Sequence, residues 1–174
     1  KGAQILICIN SSPYDITKFS RRLDLVSTVQ NETHLPILYV NQVGGQDGIV
    51  FDGGSFYLDK GNKHLLTPSF WEESFAVVDT TKQEAVKLEH RESTEDLYNA
   101  LLIGLRDYLA KTGFKKVILG SSGGMDSALV ATLAADALGS ENVHAVMLRS
   151  KFTSKESLED AATLSNNLLC KHST

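Results

Sequence analysis

Val117-Ile118-Leu119-Gly120-Ser121-Ser122-Gly123-Gly124-Met125-Asp126-Ser127 is the stretch whose reading decides the fold. Val117-Ile118-Leu119 is a short apolar run of the kind that fills a buried strand. A glycine- and serine-rich turn follows, then a helix expected from about Asp126 to Leu138 with Gly139 as its stop. Val143 to Leu148 reads as a second buried strand. Thr153 with Glu156 reads as a capping box that opens a helix running to about Leu168. Strand, helix, strand, helix with near-continuous apolar strands predicts a parallel α/β unit whose sheet is covered on both faces.

The turn sits between a strand and a helix, where open α/β sheets bind ligands. Gly123 and Gly124 carry no Cβ, so the backbone can turn sharply and approach phosphate oxygens. Amides of the turn and of the first helical turn face such an anion, aided by the helix dipole. Ser122 and Ser127 add hydroxyl donors. Asp126 would be repelled by bare phosphates, so its natural partner is a Mg²⁺ held between it and them. A Walker A loop needs Lys followed by Ser/Thr at the helix start, and Asp126 occupies that region instead. Gly120-Ser121-Ser122-Gly123 does not supply the G-x-G-x-x-G of a dinucleotide fingerprint. What remains, S-G-G-x-D-S, resembles the loop of the N-type ATP-pyrophosphatase superfamily. The resemblance implies ATP held at its pyrophosphate end by Gly120, Ser121, Ser122, Gly123, Gly124, Met125, Asp126 and Ser127. It exposes the α-phosphorus to a substrate oxygen, giving an adenylate that a nucleophile such as ammonia opens. Met147, Leu148 and Arg149, at the end of the neighbouring strand, are the candidate wall for the adenine ring.

Upstream, Ser93-Thr94-Glu95-Asp96 supplies N-cap chemistry for a helix with Leu97, Leu101, Leu105, Tyr108 and Leu109 on one face, ending near Gly113. Residues 81–93 are polar and aperiodic, which marks a linker between a domain at 1–80 and another at 94–174. The first domain reads as strands and hairpins with one helix. Gln4 to Asn10 is a strand, and Lys18 to Thr33 a helix with Phe19, Leu23, Val26 and Val29 at helical spacing. Strands follow at Pro36 to Val40, Ile49 to Phe51, Ser55 to Leu58 and His64 to Thr67, separated by glycine-rich turns at 44–48 and 53–54 and a tight turn at 60–62. Lys18, Arg21 and Arg22 read as a solvated helix face. Asp47 and Asp52, among glycines, read as turn residues rather than metal ligands. Cys8 reads as a packed core thiol, and Trp71 as packing at a hinge between the halves.

With a formal net charge of −4 and no Lys/Arg cluster, a large nucleic-acid footprint is not expected. No apolar run is long enough to span a bilayer. The two cysteines, Cys8 and Cys170, lie far apart and outside metal-ligand spacing, which fits a reducing, cytoplasmic compartment. The five histidines are scattered. The chain opens at Lys1-Gly2-Ala3 and closes at His172-Ser173-Thr174, where a new strand is expected; both ends read as cuts in a longer protein.

The loop alone fits GMP synthetases, asparagine synthetases and tRNA thiolation enzymes. The rest of the chain narrows the choice. Ile9-Asn10-Ser11-Ser12-Pro13-Tyr14, Leu38 to Asp47 and Val50-Phe51-Asp52-Gly53-Gly54-Ser55-Phe56 resemble the later part of a nitrilase-type glutaminase domain. Gly104-Leu105-Arg106-Asp107-Tyr108 and Ser157-Leu158-Glu159-Asp160-Ala161 resemble the synthetase domain of glutamine-dependent NAD synthetases. The fold implied is α/β: the end of a nitrilase-like α+β sandwich, then the start of an adenine-nucleotide alpha-hydrolase-like parallel sheet. The activity implied is adenylation of deamido-NAD and its amidation with ammonia from glutamine, with ATP and Mg²⁺, in a homo-oligomer. The family's glutaminase Glu, Lys and Cys fall on no position of this chain, and its deamido-NAD site and second metal carboxylate lie beyond Thr174. The alternatives are another amidotransferase with this loop, or an inactive assembly segment. Three positions depart from the family pattern: Ser121 for a usual Leu, Arg149 for a usual Pro, and Leu169 for a usual Gly at a helix stop.

Overall fold

The computed structural model describes residues 2–60, the backbone of 62–65, residues 70–80 and residues 93–174. The chain forms two compact units, 1–100 and 101–174. Most of the expected linker, together with Gly61 of the 60–62 turn and the end of the expected strand at 64–67, lies outside the described residues.

In the first unit β1 (Leu6–Asn10) is followed by α1 (Lys18–Thr33), β2 (Ile37–Asn41), β3 (Val43–Gln46), β4 (Ile49–Asp52), β5 (Phe56–Asp59) and β6 (Asn62–Leu65). Strand order is β1-β2-β5-β6 in one four-stranded sheet, and β3 and β4 form a separate hairpin. β1 and β2 are parallel, Leu6 opposite Ile37, because α1 is the crossover between them. Phe19 and Val26 of α1 are buried with Ile37, Tyr39, Phe56 and Leu58, and Cys8 packs half-buried against this core, as a core thiol should. Gly54, at φ +61°, is required here: a Cβ would lie 2.6 Å from Phe70 Cε1, whose ring stands edge-on to Phe19 at 5.0 Å. The glycine-rich stretch expected as a turn is half strand. Gly44 and Gly45 pair with Phe51 and Val50, and the turn itself shrinks to Asp47 and Gly48, with Asp47 at φ 52°.

Two sequence readings are corrected here. Arg22 is buried, not solvated, and Asp52 is its ion-pair partner, not a turn residue. Arg22 lies three residues after Phe19 and four before Val26, so the helix turns it inward with the apolar stripe. Its Nη1 lies 2.8 and 2.9 Å from the two Asp52 carboxylate oxygens. Nε donates to Ser12 Oγ at 3.0 Å, and Nη2 donates to the carbonyls of Ser12 and Pro13. Asn41 joins the cluster through Nδ2, which donates to Asp52 Oδ1 at 3.3 Å and to Ser12 O at 3.2 Å. Trp71 is also buried in this unit. Its amide donates to Asp52 O (3.1 Å), its Nε1 donates to Asp96 Oδ1 (2.9 Å), and its ring meets Tyr14 edge-on at 4.7 Å. These contacts hold it at φ 71°, a left-handed conformation that bulky residues rarely adopt.

α2 (Thr94–Thr112) begins in the first unit and continues into the second. Ser93 caps it as expected: Ser93 Oγ accepts from Asp96 N, and Asp96 Oδ2 accepts from Ser93 N. Its buried line is Asp96, Ala100 and Ile103, with Leu109 further on. Leu97, Leu101 and Tyr108, expected on the inner face, are exposed. Two apolar stripes lie side by side on this helix, and sequence spacing alone does not rank them.

In the second unit β7 (Val117–Ser121), α3 (Met125–Leu138), β8 (Val143–Met147), α4 (Lys155–Asn167) and β9 (Lys171–Ser173) alternate, with a 3₁₀ turn at Ser140–Asn142 before β8. The sheet is parallel, in the order β7-β8-β9, with Val117 opposite Val143 and Ser121 opposite Met147. The strand expected at the end of the sequence is thus present, and the unit is a mixed α/β fold with a parallel sheet. Coverage of both faces is corrected: Val143, Ala145 and Met147 are buried, but Ile118, on the other face, is 75% exposed. Crossovers of one hand, running in one direction, put α3 and α4 on the same side.

α4 also starts one residue later than the expected Thr153 cap. Ser154 is the cap, its Oγ accepting from Ser157 N. Thr153 is occupied in a turn, its Oγ1 accepting from Ser150 N at 2.9 Å. The helix stops where the family's glycine would stand. Cys170 N donates to Ser165 O and Leu169 N to Asn166 O, a Schellman closure with Leu169 at φ 56°.

Candidate nucleotide site

The loop leaves the carboxyl end of β7 and enters α3 at Gly124, whose φ −92° and ψ 165° are those of an N-cap. Glycine has no side chain to accept from the first helical amides, and no side-chain cap is present. The amides of Met125, Asp126 and Ser127 have no acceptor within the helix, because an α-helix leaves its first turn of donors unpaired. The loop serines hold this shape. Ser122 N donates to Ser127 Oγ (3.2 Å), Gly124 N donates to Ser122 Oγ (3.2 Å), and Ser127 Oγ donates to Gly124 O (2.9 Å). Their hydroxyls are engaged within the loop as well as beside the helix start.

Gly123 is at φ +78°, and a Cβ there would stand 2.4 Å from the carbonyl oxygen of Ser157 and 2.7 Å from its Cα. The loop therefore lies directly on the first turn of α4, and only glycine fits. A cavity of about 490 Å³ opens beside the loop, lined by Gly120, Ser121 and Ser122, by Met147 and Leu148, and by residues of the β8–α4 connection. Met147 and Leu148 thus border the same cavity as the loop. Arg149 is exposed and is not among the lining residues; its amide donates to Met147 O (3.1 Å).

Asp126 is exposed at the second helical position. Among the described residues no group of three or more His, Cys, Asp or Glu side chains could hold a metal. One carboxylate beside a helix start with unpaired amides has the chemistry that fits Mg²⁺, an ion bound through one or two carboxylates and substrate phosphates. Among the described residues no helix is long and apolar enough to cross a membrane.

The NAD synthase family model matches residues 97–174, which hold this loop and the whole parallel sheet. The glutamine-dependent NAD(+) synthetase of Rhodobacter capsulatus is 46% identical over 96% of the chain, first unit included. This chain matches a part of the glutamine-dependent NAD(+) synthetases. That of Synechocystis is 39% identical over 97% of the chain. The solved glutamine-dependent NAD+ synthetase of Acinetobacter baumannii, a complex with adenosine diphosphate, superposes with a TM-score of 0.86 at 37% identity over 98% of the chain. The chain spans about a third of these proteins: 32% and 31% of the two relatives and 33% of the solved chain.

Sequence reasoning missed part of the cavity's lining. Ser150, Phe152, Thr153, Ser154 and Ser157 line the cavity. A signal was available: in a parallel sheet the connection after β8 leaves at the same end as the loop after β7, so its residues border the same crevice.

Proposed function

We propose that this chain supplies the ATP loop of a cytoplasmic, homo-oligomeric ligase that makes NAD from deamido-NAD, using ammonia drawn from glutamine. The observation that carries this reading is the helix start at Gly124, which has glycine in place of a capping side chain and so keeps its amides for an external anion. In the proposed role the amides of Met125 to Ser127 take the leaving pyrophosphate of ATP. Met147 and Leu148 take the adenine ring, and Asp126 holds Mg²⁺ against the phosphates. When bound, Mg²⁺ neutralises charge building on the departing phosphate oxygens. The chain's own share is electrostatic: fixed amides and the dipole of α3 are aimed before reaction at the charge that develops. The α-phosphorus is thereby left open to the carboxylate of deamido-NAD, and ammonia then displaces AMP from the adenylate. Support comes from the family match across the loop and from the ADP complex of the A. baumannii enzyme.

The test uses the enzyme containing this chain. Asp126→Ala is expected to abolish Mg²⁺-dependent ATP–pyrophosphate exchange while glutamine hydrolysis stays measurable. Unchanged exchange in that variant removes Asp126 from the metal site and with it the reading of the loop.

A further inference from the structure

We propose that Ser154 is a positioning residue for the nucleotide loop: by capping α4 it holds Ser157 under Gly123 and so keeps the loop amides aimed outward. The inference deepens the nucleotide reading of the preceding section and rests on it. Three observations meet at one place. The first turn of α4 occupies the space where a Cβ on Gly123 would go, with Ser157 backbone atoms 2.4 to 2.9 Å from that position. Ser157 is also the residue that the cap grips, its amide donating to Ser154 Oγ at 3.1 Å and its hydroxyl accepting from Ser154 Oγ at 3.0 Å. Both serines line the cavity beside Gly120, Ser121 and Ser122.

Gly123 has no side chain with which to fix its own conformation, and its φ of +78° lies in a region that glycine leaves as readily as it enters. The loop therefore borrows rigidity from what it rests on. A frayed first turn of α4 moves the Ser157 peptide, and Gly123 then loses its support. The serine bonds inside the loop do not replace this support, because they link Ser122, Gly124 and Ser127 and leave Gly123 spanning between them. Lys155 and Glu159, further along the same helix, form only an exposed ion pair, which does little to hold the turn.

The experiment compares Ser154→Ala and Ser154→Asn with the unsubstituted protein, each in the enzyme containing this chain. Asparagine caps as well as serine does; alanine does not. Mg²⁺-ATP affinity is measured by calorimetry, and amide hydrogen exchange is followed without nucleotide at Ser122, Gly124 and Ala128 and across β8. Ser154→Ala is expected to weaken ATP about fivefold, the value of one N-cap, and to speed exchange at the loop amides while β8 keeps its protection. Ser154→Asn is expected to restore both. Unchanged exchange in Ser154→Ala overturns the proposal, as does equal loss in Ser154→Asn. Loss of protection across β8 as well makes Ser154 a residue of the fold alone and overturns it too. If the unsubstituted enzyme binds no ATP the nucleotide reading fails, whereas the exchange comparison, which needs no ligand, still decides whether α4 braces the loop.

Discussion

Arg22→Met is expected to be among the most damaging single changes in the first unit. Methionine keeps much of the apolar stem but removes the guanidinium that lies 2.8 Å from Asp52 Oδ1 and donates to Ser12 and Pro13. The Asp52 carboxylate, only 3% exposed, then faces the neutral amide of Asn41 at 3.3 Å where a cation stood. Removing one partner of a buried ion pair costs about 3–5 kcal/mol, because the remaining charge has lost its counter-ion. That is a large share of the roughly 5–15 kcal/mol that holds a domain folded. With a urea slope of about 1–3 kcal/mol per molar, the midpoint should fall by about 2 M. The assay has a local reporter: Trp71, the only tryptophan of the chain, donates its amide to Asp52 O. Its fluorescence during urea unfolding follows the unit that carries the substitution. Pairing Arg22→Met with Asp52→Leu should recover most of the loss, since two apolar partners leave no orphaned charge. A fall in stability under about 1 kcal/mol for Arg22→Met, well short of the usual cost, refutes the reasoning. A double variant no better than the single one refutes it equally.

Four further predictions follow from the second unit and from the family match. Gly123→Ala should remove ATP binding, measured by calorimetry, because its Cβ would stand 2.4 Å from the Ser157 carbonyl; retained affinity shows that loop and α4 separate easily. Leu169→Gly should raise stability by about 0.5–1 kcal/mol, the left-handed strain of a side chain less the chain entropy of glycine, since Leu169 is 82% exposed and loses little burial; a lowered melting temperature contradicts this. Burial raises the Cys170 thiol above its ordinary value, against a smaller opposing hydrogen bond from Ser140. Iodoacetamide at neutral pH should then modify Cys170 more slowly than an unstructured peptide thiol, and the raised group's contribution to stability should fade as alkaline pH passes through its folded-state value; equal alkylation rates would count against it. The 174-residue chain by itself should release no glutamate from glutamine through Cys8, which packs half-buried against the core, whereas a reactive thiol needs an exposed, electropositive setting; steady release lost on Cys8→Ala would show otherwise.

What the sequence made legible was what repeats along it. The apolar runs at Val117–Leu119 and Val143–Leu148, the glycine pair between them and the stop at Gly139 mark the strands, the loop and the helix of the second unit in the right places. Cap residues were legible to within one position: Ser93 was found, while Ser154 was hidden behind Thr153, which has the same chemistry and a glutamate three residues on. What escaped depends on pairing across distance. Arg22 carries a charge on a buried line, and its burial makes sense only once Asp52, thirty residues away, is seen beneath it. The choice between the two stripes of α2 turns on Trp71 and Asp96 in the same way. The cavity wall from Ser150 to Ser157 needed the knowledge that β8 lies beside β7 in parallel.

The contact between Gly123 and Ser157 also has a consequence for synthesis. The strands of the second unit are neighbours in the order in which they are made, so most of its pairing is local and can form as the chain emerges. The loop is an exception. Its own residues are complete at Ser127, yet the surface it rests on arrives thirty residues later. A ribosome-bound chain stopped between Ser127 and Ser157 would carry the whole phosphate motif without its support. On the proposed nucleotide reading, competence to hold ATP therefore comes with the docking of α4, not with the making of the motif.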